Sequence, residues 1–127
     1  FNDEGEGVFR KLECQVLEDL VGREGLVIAT GGGIVTNKRN IQSLRELGIV
    51  FWLDADVDSI LERVSRNNER PLLQTKDPRK TIVNLLSQRS ALYNQCCDER
   101  IPTDDLSVEE ISFGIAESAR LWFSKMS

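Results

Sequence analysis

Two short apolar runs separated by helical patterns constrain the fold of this 127-residue chain more than any other feature. The runs are "LVIA" at 26–29 and "IVFWL" at 49–53, and each has the length and composition of a buried strand. The remaining patterns predict helices at about 5–21, 36–47, 57–64 and 78–93, a short strand centred on Ile101, and a last helix opened by a Ser107/Glu110 capping box. This alternation predicts one α/β domain, a parallel sheet flanked by helices on both faces.

Composition argues against several classes of function. The net charge of −5 argues against nucleic acid or an anionic membrane as the main partner. No apolar run approaches the roughly 18 residues that a membrane span requires. The chain has three cysteines and no histidine, which excludes a Cys/His zinc site. Adjacent Cys96 and Cys97 indicate reduced thiols, and we expect a cytoplasmic protein, or a plastid one if the source is a plant.

The stretch "ATGGGIVTN" places three glycines directly after the first apolar run. In a parallel sheet, ligands bind beyond the carboxyl ends of the strands, which is where Gly31, Gly32 and Gly33 would lie. Glycine lets the backbone approach a ligand closely and exposes successive N–H donors. A plain turn between a strand and a helix explains the same triplet equally well, so both interpretations stay open on this feature alone.

Residues 63–89 form a basic region in an acidic protein. Seven basic side chains and two acidic ones give this window a charge of +5. A local positive region is typical of a site for a small anion, and arginine favours bidentate binding of carboxylate or phosphate. Arg79 and Lys80 are better explained as a solvated helix face. Arg70 lies in a polar stretch at 67–78, whose length of about 12 residues is typical of a functional loop.

Arg10 and Glu13 are three residues apart on the first predicted helix, and therefore share one face. One interpretation is a surface ion pair of little energetic value. The other is a carboxylate that fixes the geometry of an arginine, so that the arginine can bind a second carboxylate.

Four motifs occur in order along the chain: "F-x7-FR-x2-E", "ATGGG", "RPLL" and "R-x3-Y". Together they resemble the shikimate kinase family, within the nucleoside-monophosphate-kinase-like P-loop kinases, over nearly the whole chain. The resemblance implies transfer of the γ-phosphate of ATP to the 3-hydroxyl of shikimate, in aromatic amino-acid (chorismate) biosynthesis. It also implies ATP with Mg²⁺, the small molecules shikimate and ATP as the partners, and we expect a monomer.

The resemblance also implies roles for individual residues. Arg10 and Arg89 match the arginines that hold the substrate carboxylate, and Glu13 matches the acid that orients the first of them. The triple glycine, Gly31, Gly32 and Gly33, matches the backbone that lies against the cyclohexene ring. Phe1 and Phe9 match apolar walls of the pocket. Arg70 matches the arginine of a lid at 67–78 that reaches the transferring phosphate, and Arg63 matches the arginine that stacks near adenine.

Two motifs of the family are missing from these 127 residues. The phosphate-binding loop, G-x4-GK-[ST], has no counterpart, since no Gly-Lys dipeptide occurs in the chain; its N–H groups and lysine would hold the phosphates. The family's acidic D-x-D motif, which would supply a Mg²⁺-linked acid, has no counterpart here at its family position, which would precede Phe1. Asp54 and Asp56 follow the second apolar run, but a helix cap explains them better than a metal site.

Both motifs would precede Phe1 in the family. We therefore expect this chain to be the C-terminal three-quarters of a shikimate-kinase-like domain that lacks its first strand or strands, with no metal ligands of its own. In the family the missing part contributes the central strand, so a gap in the sheet is expected. The alternatives are a related small-molecule kinase such as a gluconate kinase, and a non-catalytic binding or interaction module that has no phosphate loop.

Overall fold

The computed structural model describes residues 3–66 and 76–126. Five α-helices, one 3-10 helix and two strands occur in this part of the chain. In chain order they are α1 (Asp3–Leu20), a 3-10 helix (Gly32–Thr36), α2 (Lys38–Leu47), β1 (Phe51–Asp54), α3 (Val57–Arg66), α4 (Pro78–Cys96), β2 (Glu99–Pro102) and α5 (Val108–Met126). The helices predicted from the sequence are all present. The 3-10 helix, which contains Gly32 and Gly33, was not predicted.

β1 and β2 form a parallel pair, in which Phe51 lies opposite Glu99 and Asp54 opposite Pro102. Two helices contact this pair. On α4, the ring of Tyr93 lies 5.5 Å from that of Trp52. On α5, Trp122 donates a hydrogen bond to Glu99 at 3.0 Å. The prediction of an α/β fold with a parallel sheet is confirmed.

Local hydrogen bonds explain where the helices begin. The Asn37 side chain accepts from the N–H of Arg39 ahead of α2, and Asp77 caps α4 immediately before Pro78. The predicted capping box of α5 is present, since Ser107 Oγ accepts from the N–H of Glu110 at 3.1 Å. The Glu110 carboxylate in turn accepts from the N–H of Ser107 at 3.0 Å.

The buried core lies where α1, the 3-10 helix, α2 and α4 meet. It consists of Leu17, Ile34, Val35, Ile41 and Cys96. Because the 3-10 helix supplies two of these residues, the glycine turn is anchored directly to the core. All three cysteines are free, and no helix of the described residues is long and apolar enough to cross a membrane.

The prediction of a buried strand at 26–29 is wrong. This segment forms no strand, and Val27 is fully exposed. A strand needs a hydrogen-bonded neighbour, and in the described residues the only strand next to β1 is β2. Instead, a groove of about 460 Å³ separates residues 28–31 from β1; its walls include Ile28, Phe51 and Leu53.

Candidate active site

The glycine turn is the centre of the site, and two of its glycines have side chains of distant residues close to them. A Cβ placed on Gly33 would lie 2.6 Å from Arg10 Cζ, and a Cβ placed on Gly32 would lie 2.7 Å from the Tyr93 hydroxyl. Neither glycine has a positive φ. Gly31 differs, because a Cβ there would meet no atom of the described residues within 4 Å. The turn therefore uses glycine for close approach and not for unusual backbone angles.

Arg10 reaches this turn from α1 and is held by carboxylates on its own helix. Its Nη1 donates to Glu13 at 2.8 Å, and Glu6 lies 3.5 Å away. The hydrogen bond with Glu13 raises the pKa of Arg10 above its ordinary value, so the guanidinium keeps its charge. Phe9 lies beside the same guanidinium, with its ring centre 5.4 Å from Arg10 Cζ. The Arg10–Glu13 pair predicted from helical spacing is thus present.

Arg89 reaches the turn from α4. Its Nη1 lies 3.6 Å from the position that a Cβ on Gly32 would take. One helical turn further along, the Tyr93 hydroxyl donates to the carbonyl of Gly32 at 2.8 Å. Two guanidinium groups from separate helices therefore meet at neighbouring glycines, an arrangement that suits a carboxylate bound between them.

Arg63 does not join this cluster. Its guanidinium donates to the hydroxyl and the carbonyl of Thr103 at 3.0 and 2.9 Å. Thr103 is buried and also donates to the carbonyl of Asp54 at 2.9 Å. Arg63 therefore links α3 to the carboxyl ends of both strands, and it lies in the wall of the groove beside β1.

The two aspartates that follow β1 have structural partners. Asp54 accepts from Arg100 Nε at 2.6 Å. Asp56 accepts from the N–H of Ser59 at 2.7 Å and so caps α3. Across residues 3–66 and 76–126, no group of three or more acidic or cysteine side chains could hold a metal ion. Of the two, Asp56 caps α3 as predicted, and Asp54 is paired with Arg100 instead.

Some predicted residues lie outside the described part of the chain. These are Phe1, Arg70 and most of the predicted lid at 67–78. Arg79, expected on a solvated helix face, is exposed and pairs with Asp58. Tyr93 belongs to the "R-x3-Y" motif, but no role for it was predicted from the sequence. Its place beside Arg89 could have been predicted, because the "R-x3-Y" spacing puts Arg89 and Tyr93 on one face of a helix.

These features define the chain as a parallel α/β domain with two arginines directed at one glycine turn. A solved structure of similar fold is the shikimate kinase from Acinetobacter baumannii in complex with shikimate, at a TM-score of 0.80 and 34% identity, covering 98% of this chain and 68% of that one. The sequence profile named Shikimate kinase matches residues 1–120. The chain belongs to the shikimate kinase family, which confirms the resemblance seen in the motifs.

Curated relatives agree with this assignment. A shikimate kinase of Vibrio campbellii is 42% identical over 112 residues, covering 88% of this chain and 65% of the relative. One from Bordetella avium is 39% identical over 126 residues, covering 99% of this chain and 60% of the relative. The chain thus spans less than two thirds of the length of these relatives.

Proposed function

We propose that the protein containing these residues is a shikimate kinase, which transfers the γ-phosphate of ATP to the 3-hydroxyl of shikimate. The observation that carries the proposal is the convergence of Arg10 and Arg89 on Gly32 and Gly33. Shikimate has one carboxylate on a small hydroxylated ring. Two guanidinium groups fit that carboxylate, and a turn without side chains leaves room for the ring.

The substrate end of the site divides the work among a few residues. Arg10 and Arg89 bind the carboxylate, and Glu13 holds Arg10 in the geometry for binding. Gly31, with open space beside it, faces the ring. Phe9 and Phe1 form apolar walls. Binding at the carboxylate fixes the orientation of the ring, and a fixed orientation is the largest contribution that these residues make to phosphoryl transfer.

The phosphate end of the site is assigned to fewer residues. Arg70 places a positive charge on the transferring phosphate when the lid at 67–78 closes, and closure excludes water. Arg63 stacks near the adenine of ATP. The described residues do not fit Mg²⁺, because Asp54 is paired with Arg100 and Asp56 caps α3. When bound, Mg²⁺ would neutralise phosphate charge in this chemistry.

The same proposal has the protein act as a monomer in the cytoplasm, or in the plastid if it comes from a plant. Three free cysteines in the chain support a reducing compartment. The bacterial origin of the relatives favours the cytoplasm.

Kinase assays on the whole protein test this proposal. ADP release from Mg·ATP is measured with shikimate, with gluconate and with neither. We expect release that depends on shikimate and is at least about 100-fold slower with gluconate, since a site shaped for one polar substrate rejects others strongly. Faster turnover of gluconate would assign the protein to another class of small-molecule kinase. Shikimate binding without ADP release would indicate a non-catalytic binding protein.

A further inference from the structure

We infer that Tyr93 is a positioning residue for the substrate pocket, acting through the carbonyl of Gly32. This inference rests on the proposed function, because it concerns the pocket that holds shikimate. Tyr93 would not touch the reacting atoms. Its task is to hold the peptide between Gly32 and Gly33 in one orientation, between the two arginines.

The geometry of the turn supports this role. Three consecutive carbonyls of the turn each accept a hydrogen bond from a side chain: Gly32 from Tyr93 at 2.8 Å, Gly33 from Thr36 at 2.7 Å and Ile34 from Asn40 at 3.0 Å. Thr36 and Asn40 lie within eight residues of the turn in sequence. Tyr93 is the only one of the three that comes from a distant helix, so it fixes the turn relative to α4 and therefore relative to Arg89.

The hydrogen bond from Tyr93 to the Gly32 carbonyl also orients the N–H group of Gly33. The peptide group is planar and trans, so its N–H points opposite to its C=O. With the Gly32 oxygen bound to Tyr93, the N–H of Gly33 is directed away from Tyr93. A glycine pair has no side chains to set this orientation and a wide range of allowed backbone angles. An external hydrogen bond is therefore an effective way to choose one orientation.

The ring of Tyr93 is itself fixed. It packs against the buried core, and its centre lies 5.5 Å from that of Trp52. On Trp52 lies the guanidinium of Arg100, 4.8 Å from the ring centre, and Arg100 is bound to Asp54. Packing accounts for the aromatic ring but not for the hydroxyl, whose contact with the protein is the carbonyl of Gly32.

The test is Tyr93→Phe in the whole protein, which keeps the ring and removes the hydrogen bond. A neutral hydrogen bond has a modest net value, so we expect the KM for shikimate to rise about 3- to 10-fold. The KM for ATP should change by less than about 1.5-fold. The matched control is Ser90→Ala, on the same helix, because the Ser90 hydroxyl donates to Leu86 within α4 at 2.6 Å and not to the turn. Ser90→Ala should leave both KM values unchanged.

A readout without substrate separates this inference from the proposed function. The N–H of Ile34 donates to the carbonyl of Gly31 at 3.4 Å across the turn. We expect its hydrogen exchange to be about 3- to 10-fold faster in Tyr93→Phe and unchanged in Ser90→Ala, since a released turn opens more often. A wild-type protein that does not turn over shikimate would refute the proposed function, and Ile34 exchange would still decide whether Tyr93 holds the turn.

Three results would overturn the inference. One is Tyr93→Phe with the wild-type KM for shikimate and wild-type exchange at Ile34. Another is an equal rise in the KM values for shikimate and ATP, which would indicate general loss of structure. The third is the same change in Ser90→Ala, which would place the effect in helix α4 as a whole.

Discussion

Arg10 is charged and held in one orientation, and its side chain is still accessible to a ligand. Its guanidinium is fixed by Glu13 on α1, and its side chain remains 31% exposed. An exposed ion pair contributes little to the free energy of unfolding. The Arg10–Glu13 pair matters more because it holds Arg10 in the geometry for binding. Glu13, whose side chain is only 11% exposed, holds one edge of Arg10. The same guanidinium lies against Gly33.

Arg10→Ala should therefore weaken shikimate binding by the whole protein much more than ATP binding. Loss of hydrogen bonds to a charged group costs roughly 1.5–3 kcal/mol, which corresponds to about 10- to 150-fold in affinity. Calorimetry with each ligand measures both effects. The control is Arg79→Ala, because Arg79 is exposed and paired with Asp58 away from the turn. Equal losses for shikimate and ATP in Arg10→Ala would contradict the assignment of Arg10 to the substrate carboxylate.

At the scale of elements, the helices could be predicted from the sequence because their signals are local. The Ser107/Glu110 box and the Pro78 start of α4 depend on neighbours within four residues. Whether residues 26–29 form a strand could not be predicted from local signals. Its apolar residues favour a strand, but pairing depends on a neighbour that the segment itself does not encode.

The site shows the same difference between local features, which could be predicted, and long-range contacts, which could not. The Arg10–Glu13 pair follows from a spacing of three residues, and the structure contains it. The contact of Arg10 with Gly33 and of Tyr93 with Gly32 joins segments far apart in sequence, which helical or strand periodicity cannot reveal. Family resemblance supplied the grouping of Arg10 and Arg89 with the glycines, and it left Tyr93 without a role.

The segment at 67–78, which its sequence predicts to be a loop, gives a prediction at this scale. Arg70→Ala should lower kcat by at least about 10-fold and change shikimate affinity by less than about 2-fold. The reason is that a positive charge on the transferring phosphate acts in the transition state more than in substrate binding. Lys76→Ala in the same loop serves as the charge-matched control. Normal turnover by Arg70→Ala would show that Arg70 is a solvated loop residue.

At the scale of the whole molecule, the proposed function divides the site into a substrate part, to which most of the assigned described residues belong, and a phosphate part, to which few of them belong. The glycine turn, α1 and α4 bring the arginines together around a buried core. The groove between residues 28–31 and β1 adjoins this turn, since Gly31, Gly32 and Tyr93 are among its lining residues, and its other walls are mainly apolar, including Ile28, Val50 and Phe51. Within the described residues, β1 is paired along only one edge. The central strand expected beside β1 from the family resemblance stays a prediction.

The most direct test of this division is kinase activity of the 127 residues, alone and co-expressed with a segment that supplies a strand and a phosphate-binding loop. Alone, the chain has no G-x4-GK-[ST] motif and leaves an apolar groove open beside β1. We expect poor stability and no shikimate-dependent ADP release. Co-expression should restore both folding and activity. Robust, shikimate-dependent ADP release by the 127 residues alone would contradict the account, because the phosphate chemistry would then reside in residues that we assign to the substrate.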